Sequence, residues 1–204
     1  MAREERGEFA AFLATLSREQ WNAPTLCTGW RVRDVVAHVI SYDELSMRDV
    51  LKRILGNRLD LDRVNAAVLS ELADRSSDEL LALLEAHAEP TGLPAAFGGL
   101  VALVDGLIHQ QDIRRPLGLP REIPPERLQR TLRSALLAPP TGAFWRTRGL
   151  RLVPTDLDWA SGRGPEVRGP GESILMAMAG RPDALDELSG PGLLTLAKRV
   201  PGAA

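Results

Sequence analysis

Apolar residues recur at helical spacing through the first two-thirds of the chain. In the segment EFAAFLATL, Phe9, Phe12 and Leu13 lie on one face of a helix. A second helix is predicted from about residue 32 to residue 55, where Val and Ile side chains between positions 35 and 40 form the apolar side. A third helix is predicted over roughly residues 61 to 73 by the same spacing.

Capping and chain-breaking residues set the bounds of the next helices. Ser76 followed three residues later by Glu79 is a capping-box pattern, and it predicts a helix that runs to about residue 88. The segment EPTGLPAAFGG interrupts the pattern with Pro and Gly. Further helices are predicted over about residues 100 to 115 and 125 to 137. Helices of this length joined by short loops predict an antiparallel bundle.

The final third of the chain has a different pattern. The segment APPTGAFWRTRG, residues 138 to 149, predicts a linker, and the apolar residues 150 to 153 predict a strand. The segment PEVRGPGESILMAMAG predicts a short strand, a turn and a helix, and RPDALDE a last helical piece. The fold class is therefore mainly α, with a helical bundle over residues 1–147 and a small α+β domain over residues 148–204.

Composition narrows the class of protein. Hydrophobic residues make up 44% and charged residues 25% of the 204 residues, which is typical of a soluble globular domain. No apolar run is long enough to span a membrane, and the first residues do not have the order of a signal peptide. A single cysteine excludes an internal disulfide, and a net charge of −2 does not favour nucleic-acid binding. We expect a cytoplasmic protein that binds neither nucleic acid nor membranes.

One predicted helix carries a polar stripe in the segment VDGLIHQQDIRR. Asp105, His109 and Asp112 are four and then three residues apart, so their side chains share one face of the helix. Burying carboxylates and an imidazole is unfavourable unless they are paired or bind a metal. The stripe therefore faces either water or a polar site inside the bundle.

The second predicted helix offers a partner for this stripe. His38 stands on the apolar background of GWRVRDVVAHVI, with Asp34 one turn earlier. Two helices that each present an imidazole, one with a carboxylate as well, can form a two-His-one-carboxylate metal site with open coordination positions. Alternatively, Asp34 with His38 and Asp105 with His109 are surface pairs. The third histidine, His87, is expected to interact with a helix C-terminus.

These segments resemble the mycothiol-dependent maleylpyruvate isomerase family, which has a DinB-like metal-binding helical bundle. The resemblance covers nearly the whole chain and rests on GWRVRDVVAHVI, DGLIHQQDIRRPLG and VPTDLDWASGRGPEVRGPGESILMAMAGRP, followed by LDELSGPG. It implies a DinB-like antiparallel four-helix bundle followed by a small α+β C-terminal unit.

The resemblance also implies site residues. The family's metal ligands are a His in the second helix and a carboxylate-x-x-x-His pair in a later helix, which correspond to His38, Asp105 and His109. The family pattern has Glu where this chain has Asp105, so the helices must approach more closely, the metal must shift, or a water must bridge. Asp112 could orient an imidazole. Arg181 matches a family Arg that faces the site; its alternative role is a helix cap or a surface ion pair.

The family implies a chemistry for this site. A divalent cation, which we expect to be zinc, holds the thiol of mycothiol as a thiolate. The thiolate adds to an electrophilic carbon of a small substrate, and elimination then gives isomerisation whereas retention gives S-transfer. Arg181 would pair with a carboxylate of the substrate or cofactor. The expected partners are this substrate and a low-molecular-weight thiol, in a monomer or homodimer. The alternative is a non-catalytic metal- or ligand-binding module, or a regulatory one, on the same fold.

Cys27 and the tryptophans are expected to have structural roles. The segment TLCTGW has no His or Lys next to Cys27, which makes this thiol a poor candidate nucleophile and predicts a small buried hydrophobe. Trp30 and Trp159 are expected to be packing anchors rather than stacking platforms.

Overall fold

The protein is mainly helical, with one small sheet, as the sequence predicts. The computed structural model describes residues 1–43 and 69–203, and between them Leu45, Arg48, Lys52, Gly56, Arg63 and Ala67. Backbone contacts divide the chain into two compact units, Met1–Pro120 and Arg121–Ala204. In the described part of the chain, no helix is long and apolar enough to cross a membrane.

The first unit is built from helices that share one core. In chain order they are α1 (Ala2–Leu13), α2 (Arg18–Trp21), α3 (Val32–Ile40), α4 (Ser77–Ala86) and α5 (Ala96–Leu117). Both α1 and α3 pack against α4 and α5, which makes a four-helix arrangement. The apolar faces meet in a core that includes the fully buried side chains of Phe9, Leu13, Val36, Leu84 and Ile113. The predicted helical periodicity of these segments is confirmed.

α3 is shorter than the helix that the sequence predicts. A continuous helix from residue 32 to residue 55 is wrong, because α3 ends at Ile40 and a turn follows over residues 41–43; most of residues 44–55 lie outside the described residues. Ser41 closes the helix by donating its hydroxyl hydrogen bond to the carbonyl of His38. The predicted helix over residues 61–73 lies mostly outside the described residues. Within this segment, residues 69–71 are helical.

The bounds of α4 and α5 agree closely with those predicted from the sequence. The predicted capping box is present: Ser76 Oγ accepts from the Glu79 backbone N–H, and the Glu79 carboxylate accepts from the Ser76 backbone N–H. Three residues at the start of α5, Phe97 to Gly99, have left-handed backbone angles, so regular helix begins at about residue 100. The helix ends at Leu117, where Gly118 adopts the left-handed conformation typical of a helix C-terminus.

A buried ion pair ties three parts of the first unit together. Arg6 on α1 and Asp43 in the turn after α3 are both fully buried, and Arg6 Nη1 lies 2.7 Å from Asp43 Oδ1. The same guanidinium group donates to the carbonyl of His87 at the end of α4, and Asp43 Oδ1 accepts from the backbone N–H of Thr91. We call these groups the Arg6 cluster.

The second unit combines helices with a three-stranded sheet. It contains α6 (Pro125–Ala135), a 3-10 helix (Pro139–Thr141), α7 (Ala143–Thr147), β1 (Arg151–Pro154), β2 (Ser161–Gly162), β3 (Glu166–Gly169), α8 (Gly171–Met178), a second 3-10 helix (Pro182–Glu187) and α9 (Leu193–Ala197). The strand order is β2-β1-β3; β1 pairs with β2 antiparallel and with β3 parallel. The predicted strands near residue 150 and in PEVRG, and the helix after them, are confirmed.

The segment between the predicted domains is structured. The predicted linker over residues 138–149 is wrong, because this segment forms a 3-10 helix and α7. Gly142 permits the left-handed turn between them, and Arg146 on α7 donates a hydrogen bond to the carbonyl of Met178. The division by backbone contacts falls after Pro120, so that α6 belongs to the second unit, where it packs on α8. The predicted boundary at residue 147 stays a prediction.

Candidate metal centre

Two neighbouring helices of the first unit bring polar side chains together. His38 lies in the last turn of α3, and Asp105 and His109 lie one turn apart on α5. Because α3 and α5 pack against each other, the imidazole of His38 meets the polar stripe of α5. The structure therefore brings together the three residues that the family resemblance assigns to a metal.

The atoms of the three residues that could bind a metal lie close to one another. Asp105 Oδ1 lies 3.4 Å from His109 Nε2 and 3.7 Å from His38 Nε2. The possible ligand atoms of all three residues fall within 4.8 Å of one another. The two imidazole rings stand edge to face, with centroids 5.0 Å apart and an interplanar angle of 78°. The shorter Asp side chain thus reaches both imidazoles.

The site is neither fully buried nor open. The side chains of His38 and His109 are 13% and 12% exposed, whereas that of Asp105 is 34% exposed. Solvent therefore has better access to Asp105 than to either imidazole. This partial exposure is suited to a site at which a small molecule approaches one side of a bound ion.

Charge couples Asp105 to the imidazoles. Burial opposes ionisation of Asp105, but the imidazole of His109 and then that of His38 outweigh it and hold the pKa of this carboxyl well below its usual range. Burial also opposes protonation of His109, yet the Asp105 carboxylate raises the pKa of this imidazole well above its usual value. Without a metal, Asp105 and His109 therefore form an ion pair.

The donor set fits a divalent cation. Two imidazole nitrogens with one carboxylate oxygen are the protein ligands of several zinc enzymes, which leave the fourth position to water or substrate. Tetrahedral coordination at about 2.0–2.2 Å places the ligand atoms about 3.3–3.6 Å apart. The distances of 3.4 and 3.7 Å from Asp105 Oδ1 to the two Nε2 atoms are close to this range. The three residues could hold zinc with only small movements.

The loop between α2 and α3 adds two residues to the site. The backbone N–H of Leu26 donates to the carbonyl of Asp112, which fixes the loop on α5. Cys27 Sγ then donates to Asp112 Oδ2 at 3.1 Å and lies 3.7 Å from His109 Nδ1. The Trp30 ring lies beside both imidazoles, with centroids 5.1 Å from His38 and 6.4 Å from His109.

Sequence reasoning missed this loop as part of the site. Cys27 is partly buried and packs against the core, as expected of a small hydrophobe, but its thiol also contacts a carboxylate and an imidazole, which was not predicted. Trp30 does pack against the core, as expected, but it also borders the site. No local signal in the sequence identifies either residue. The contacts of Cys27, for example, are with residues more than eighty positions away along the chain.

Asp112 lies behind His109, where an orienting carboxylate was expected. Its side chain is fully buried, and Oδ2 lies 2.9 Å from His109 Nδ1. The two nitrogens of His109 therefore have different neighbours: Nε2 faces Asp105, and Nδ1 faces Asp112. By contrast, His38 Nδ1 is buried without a hydrogen-bond partner among the described residues.

Other candidate residues have different positions. Asp34 accepts hydrogen bonds from the backbone N–H and the side chain of Arg31, so it caps α3 rather than pairing with His38. His87 is the C-cap residue of α4 and does not belong to the groups in the described residues that could hold a metal. Arg181 lies in the second unit, where its guanidinium group donates to the carbonyl of Ala179. Its role toward a substrate or cofactor stays a prediction.

Comparisons with known proteins agree with the fold. Residues 2–92 match the family described as the mycothiol maleylpyruvate isomerase N-terminal domain. The crystal structure of a mycothiol-dependent maleylpyruvate isomerase is similar, with a TM-score of 0.60, 16% sequence identity and coverage of 93% of this chain and 90% of that chain. A histidine-to-alanine mutant of that enzyme has the same similarity. None of the curated proteins matches the sequence.

These findings show a family domain in the first part of the chain and a similar fold, but they leave the reaction open. At 16% identity, the structural similarity concerns the fold. The matched residues 2–92 include Cys27, Trp30 and His38 but end before α5, which carries Asp105 and His109. Residues 2–92 thus match the mycothiol maleylpyruvate isomerase N-terminal domain, and the chain has a fold similar to that of a mycothiol-dependent maleylpyruvate isomerase.

Proposed function

We propose that the protein is a metal-dependent enzyme that uses a low-molecular-weight thiol of the mycothiol type. Its reaction is isomerisation or S-transfer on a small electrophilic substrate. The similar solved structures are of a mycothiol-dependent enzyme, which supports the choice of thiol. A compartment in which thiols stay reduced, the cytoplasm, suits this chemistry.

The charge at Asp105 carries the proposal. This carboxylate lies between two imidazoles, and no Lys or Arg among the described residues forms an ion pair with it. Imidazoles are neutral when they bind a metal, so the three ligands together carry one negative charge. A divalent cation compensates that charge and satisfies all three ligand atoms. Nitrogen and carboxylate ligands in this number favour zinc.

The protein's own residues prepare the site in three ways. His38, Asp105 and His109 hold the cation, which when bound supplies a Lewis acid that favours the thiolate form of a thiol. The greater exposure of Asp105 leaves one side open to the thiol. The indole of Trp30 packs beside both imidazoles, where it would limit the access of water to them.

Arg181 is proposed to bind a carboxylate of the substrate or cofactor. The pKa of the nearby Arg146 is lowered by burial and then by the positive charge of Arg181. Two guanidinium groups that repel each other would be stabilised by an anion bound next to them. A bidentate arginine–carboxylate pair would also orient the bound molecule.

Cobalt substitution tests the proposal. Protein loaded with Co²⁺ is titrated with mycothiol, and a thiolate-to-cobalt charge-transfer band in the near ultraviolet is expected to appear. The same band should be missing from the His109→Ala variant. A Co²⁺-loaded wild-type protein that shows no such band at saturating mycothiol would contradict the use of a metal-bound thiol.

A non-catalytic module is the second candidate. The observation in its favour is that Asp105 replaces the Glu of the family pattern. This candidate predicts that the protein binds metal and thiol but gives no turnover. Assays of the loaded protein with maleylpyruvate and other unsaturated or leaving-group-bearing electrophiles separate the two, since any metal- and thiol-dependent turnover excludes the module.

A further inference from the structure

We infer that Asp112 and Cys27 act together as a positioning pair for His109. Asp112 forms a hydrogen bond with Nδ1 of the imidazole, and the Cys27 thiol donates a hydrogen bond to the Asp112 carboxylate. The inference rests on the proposed metal centre and adds two residues to it. Neither residue would touch the metal or the substrate.

The contact between Asp112 and His109 determines the tautomer and the orientation of the imidazole ring. An ionised carboxylate only accepts hydrogen bonds, so Asp112 Oδ2, at 2.9 Å, requires a proton on His109 Nδ1. A neutral imidazole protonated at Nδ1 has its lone pair on Nε2, the nitrogen that faces Asp105 and His38. Asp112 therefore selects the tautomer and the ring orientation that bind a metal.

The thiol of Cys27 restrains Asp112. It donates to the same oxygen, Oδ2, that contacts His109. The thiol is held there by the loop, because the neighbouring Leu26 N–H donates to the Asp112 carbonyl. A carboxylate that accepts from two fixed donors has less freedom to rotate away from the imidazole. Removal of the thiol donor should loosen Asp112 and, through it, His109.

The two imidazoles therefore differ in how firmly they are held. His109 has a buried carboxylate behind it, whereas His38 Nδ1 has no hydrogen-bond partner among the described residues. The ring of His38 is held by packing against Trp30 and Tyr42 rather than by a hydrogen bond to Nδ1 from a described residue. The metal affinity should thus be more sensitive to changes behind His109.

Cys27, His109 and Asp112 are also close enough to hold an ion of their own. Two observations favour the positioning role. Asp112 is fully buried, so an ion there would lack an open side for a ligand. Asp112 Oδ2 also lies at hydrogen-bond distance from both His109 Nδ1 and Cys27 Sγ, so these groups satisfy one another without an ion.

The test measures zinc affinity in the full chain by competition with a chelator. Asp112→Asn is expected to weaken zinc binding by about 10–100-fold, the usual effect of removing an outer carboxylate. Cys27→Ser keeps a hydroxyl donor and should stay near the wild-type affinity, whereas Cys27→Ala should bind zinc more weakly than Cys27→Ser. Thr28→Ala, at an exposed position in the same loop, is the control and should change nothing.

Spectra and stability separate positioning from a merely structural role. The ligand-field bands of the Co²⁺-loaded protein should shift in Asp112→Asn and Cys27→Ala. Unfolding of the metal-free variants is measured alongside, because a structural role would lower stability without changing the zinc affinity. If Asp112→Asn does not fold, the comparison of Cys27→Ala with Cys27→Ser decides.

Three results would overturn the positioning pair. They are unchanged zinc affinity in Asp112→Asn, equal affinity in Cys27→Ala and Cys27→Ser, or a thiolate-to-cobalt band in wild-type protein before any mycothiol is added. The last result would make Cys27 a ligand. If the wild type binds zinc but mycothiol does not reach the metal, the proposed function fails while the affinities still judge the pair. A wild type that binds no metal would refute both.

Discussion

The first unit contains two polar clusters that obtain their positive charge in different ways. In the Arg6 cluster, the chain supplies a permanent cation, and Arg6 and Asp43 are both fully buried and 2.7 Å apart. At the candidate metal site, Asp105 contacts two imidazoles and is 34% exposed. In the Arg6 cluster, a buried guanidinium group neutralises the carboxylate, whereas no Lys or Arg among the described residues pairs with the partly exposed Asp105.

This difference is what we expect between a structural cluster and a site that binds a ligand. A buried carboxylate that pairs with Arg and accepts from a backbone N–H needs no ligand. A carboxylate that relies on imidazoles, whose charge depends on protonation, can instead exchange the proton for a metal ion. The comparison thus predicts that changes in the Arg6 cluster alter stability and that changes at the metal site alter binding.

The largest expected effect is the loss of a metal ligand. His109→Ala removes an imidazole that contacts both Asp105 and Asp112, and we expect no measurable zinc binding by calorimetry. The helices should stay folded by circular dichroism, since their core is apolar. His87→Ala is the matched control, because His87 is a helix C-cap residue and should leave zinc binding intact. Zinc binding of wild-type strength in His109→Ala would remove the basis of the comparison.

The polar stripe of α5 shows what the sequence reveals about this site. The spacing of Asp105, His109 and Asp112 is a local property of a helix, so their common face could be predicted. The residues alone offered the pairing of this stripe with His38 as one of two alternatives, a metal site or separate surface pairs, and the family resemblance then favoured the metal site, because two helices can pack in many ways. The contact of Cys27 with Asp112 was not predicted, since it depends on how a loop folds onto a helix far along the chain.

The fold shows the same division between local and long-range information. The capping box of α4 and the periodicity of α1 are local, and both were predicted correctly. The end of α3 at Ile40 was missed, because the apolar pattern itself continues past it. The turn after Ile40 places Asp43 on Arg6, 37 residues earlier in the chain, and on Thr91. Such tertiary contacts override the helical pattern.

The second largest effect is expected in the Arg6 cluster. Arg6→Met leaves the Asp43 carboxylate buried without its cation, and breaking a buried pair in this way costs about 3–5 kcal/mol. Denaturant unfolding of the metal-free protein should show this loss of stability. Zinc affinity of the folded variant should remain at the wild-type value. A weakened zinc affinity with unchanged stability would reverse the roles that we assign to the two clusters.

The third prediction concerns the pH dependence of stability. The raised pKa of His109 gives the metal-free protein a stabilising contribution that is fully present below about pH 6.5, the pKa of an unfolded histidine. It is lost as the pH rises through the folded-state pKa, with a slope of up to about 1.4 kcal/mol per pH unit. The lowered pKa of Asp105 contributes stability above about pH 3.9, which is lost as the pH falls through its folded-state pKa.

Zinc should reverse the first of these trends. A metal competes with protons for the imidazoles, so the stability that zinc adds should increase with pH across the same range. Unfolding measured from pH 6 to pH 9 with a chelator and with excess zinc compares the two states. His109→Ala should flatten both curves. Parallel curves for the wild type would mean that zinc does not bind through these imidazoles.

The smallest effect is expected at Asp34, which has the spacing of a site residue but not the contacts. Asp34 lies one turn before His38, yet it caps α3 by accepting from the backbone and side chain of Arg31, whose own side chain is 50% exposed. An exposed ion pair contributes about 0–1 kcal/mol, so Asp34→Ala should lower stability by about 1 kcal/mol or less. It should leave zinc affinity unchanged, in contrast with Asp105→Ala. A loss of zinc affinity of about tenfold or more in Asp34→Ala would mean that the carboxylate before His38 belongs to the site after all.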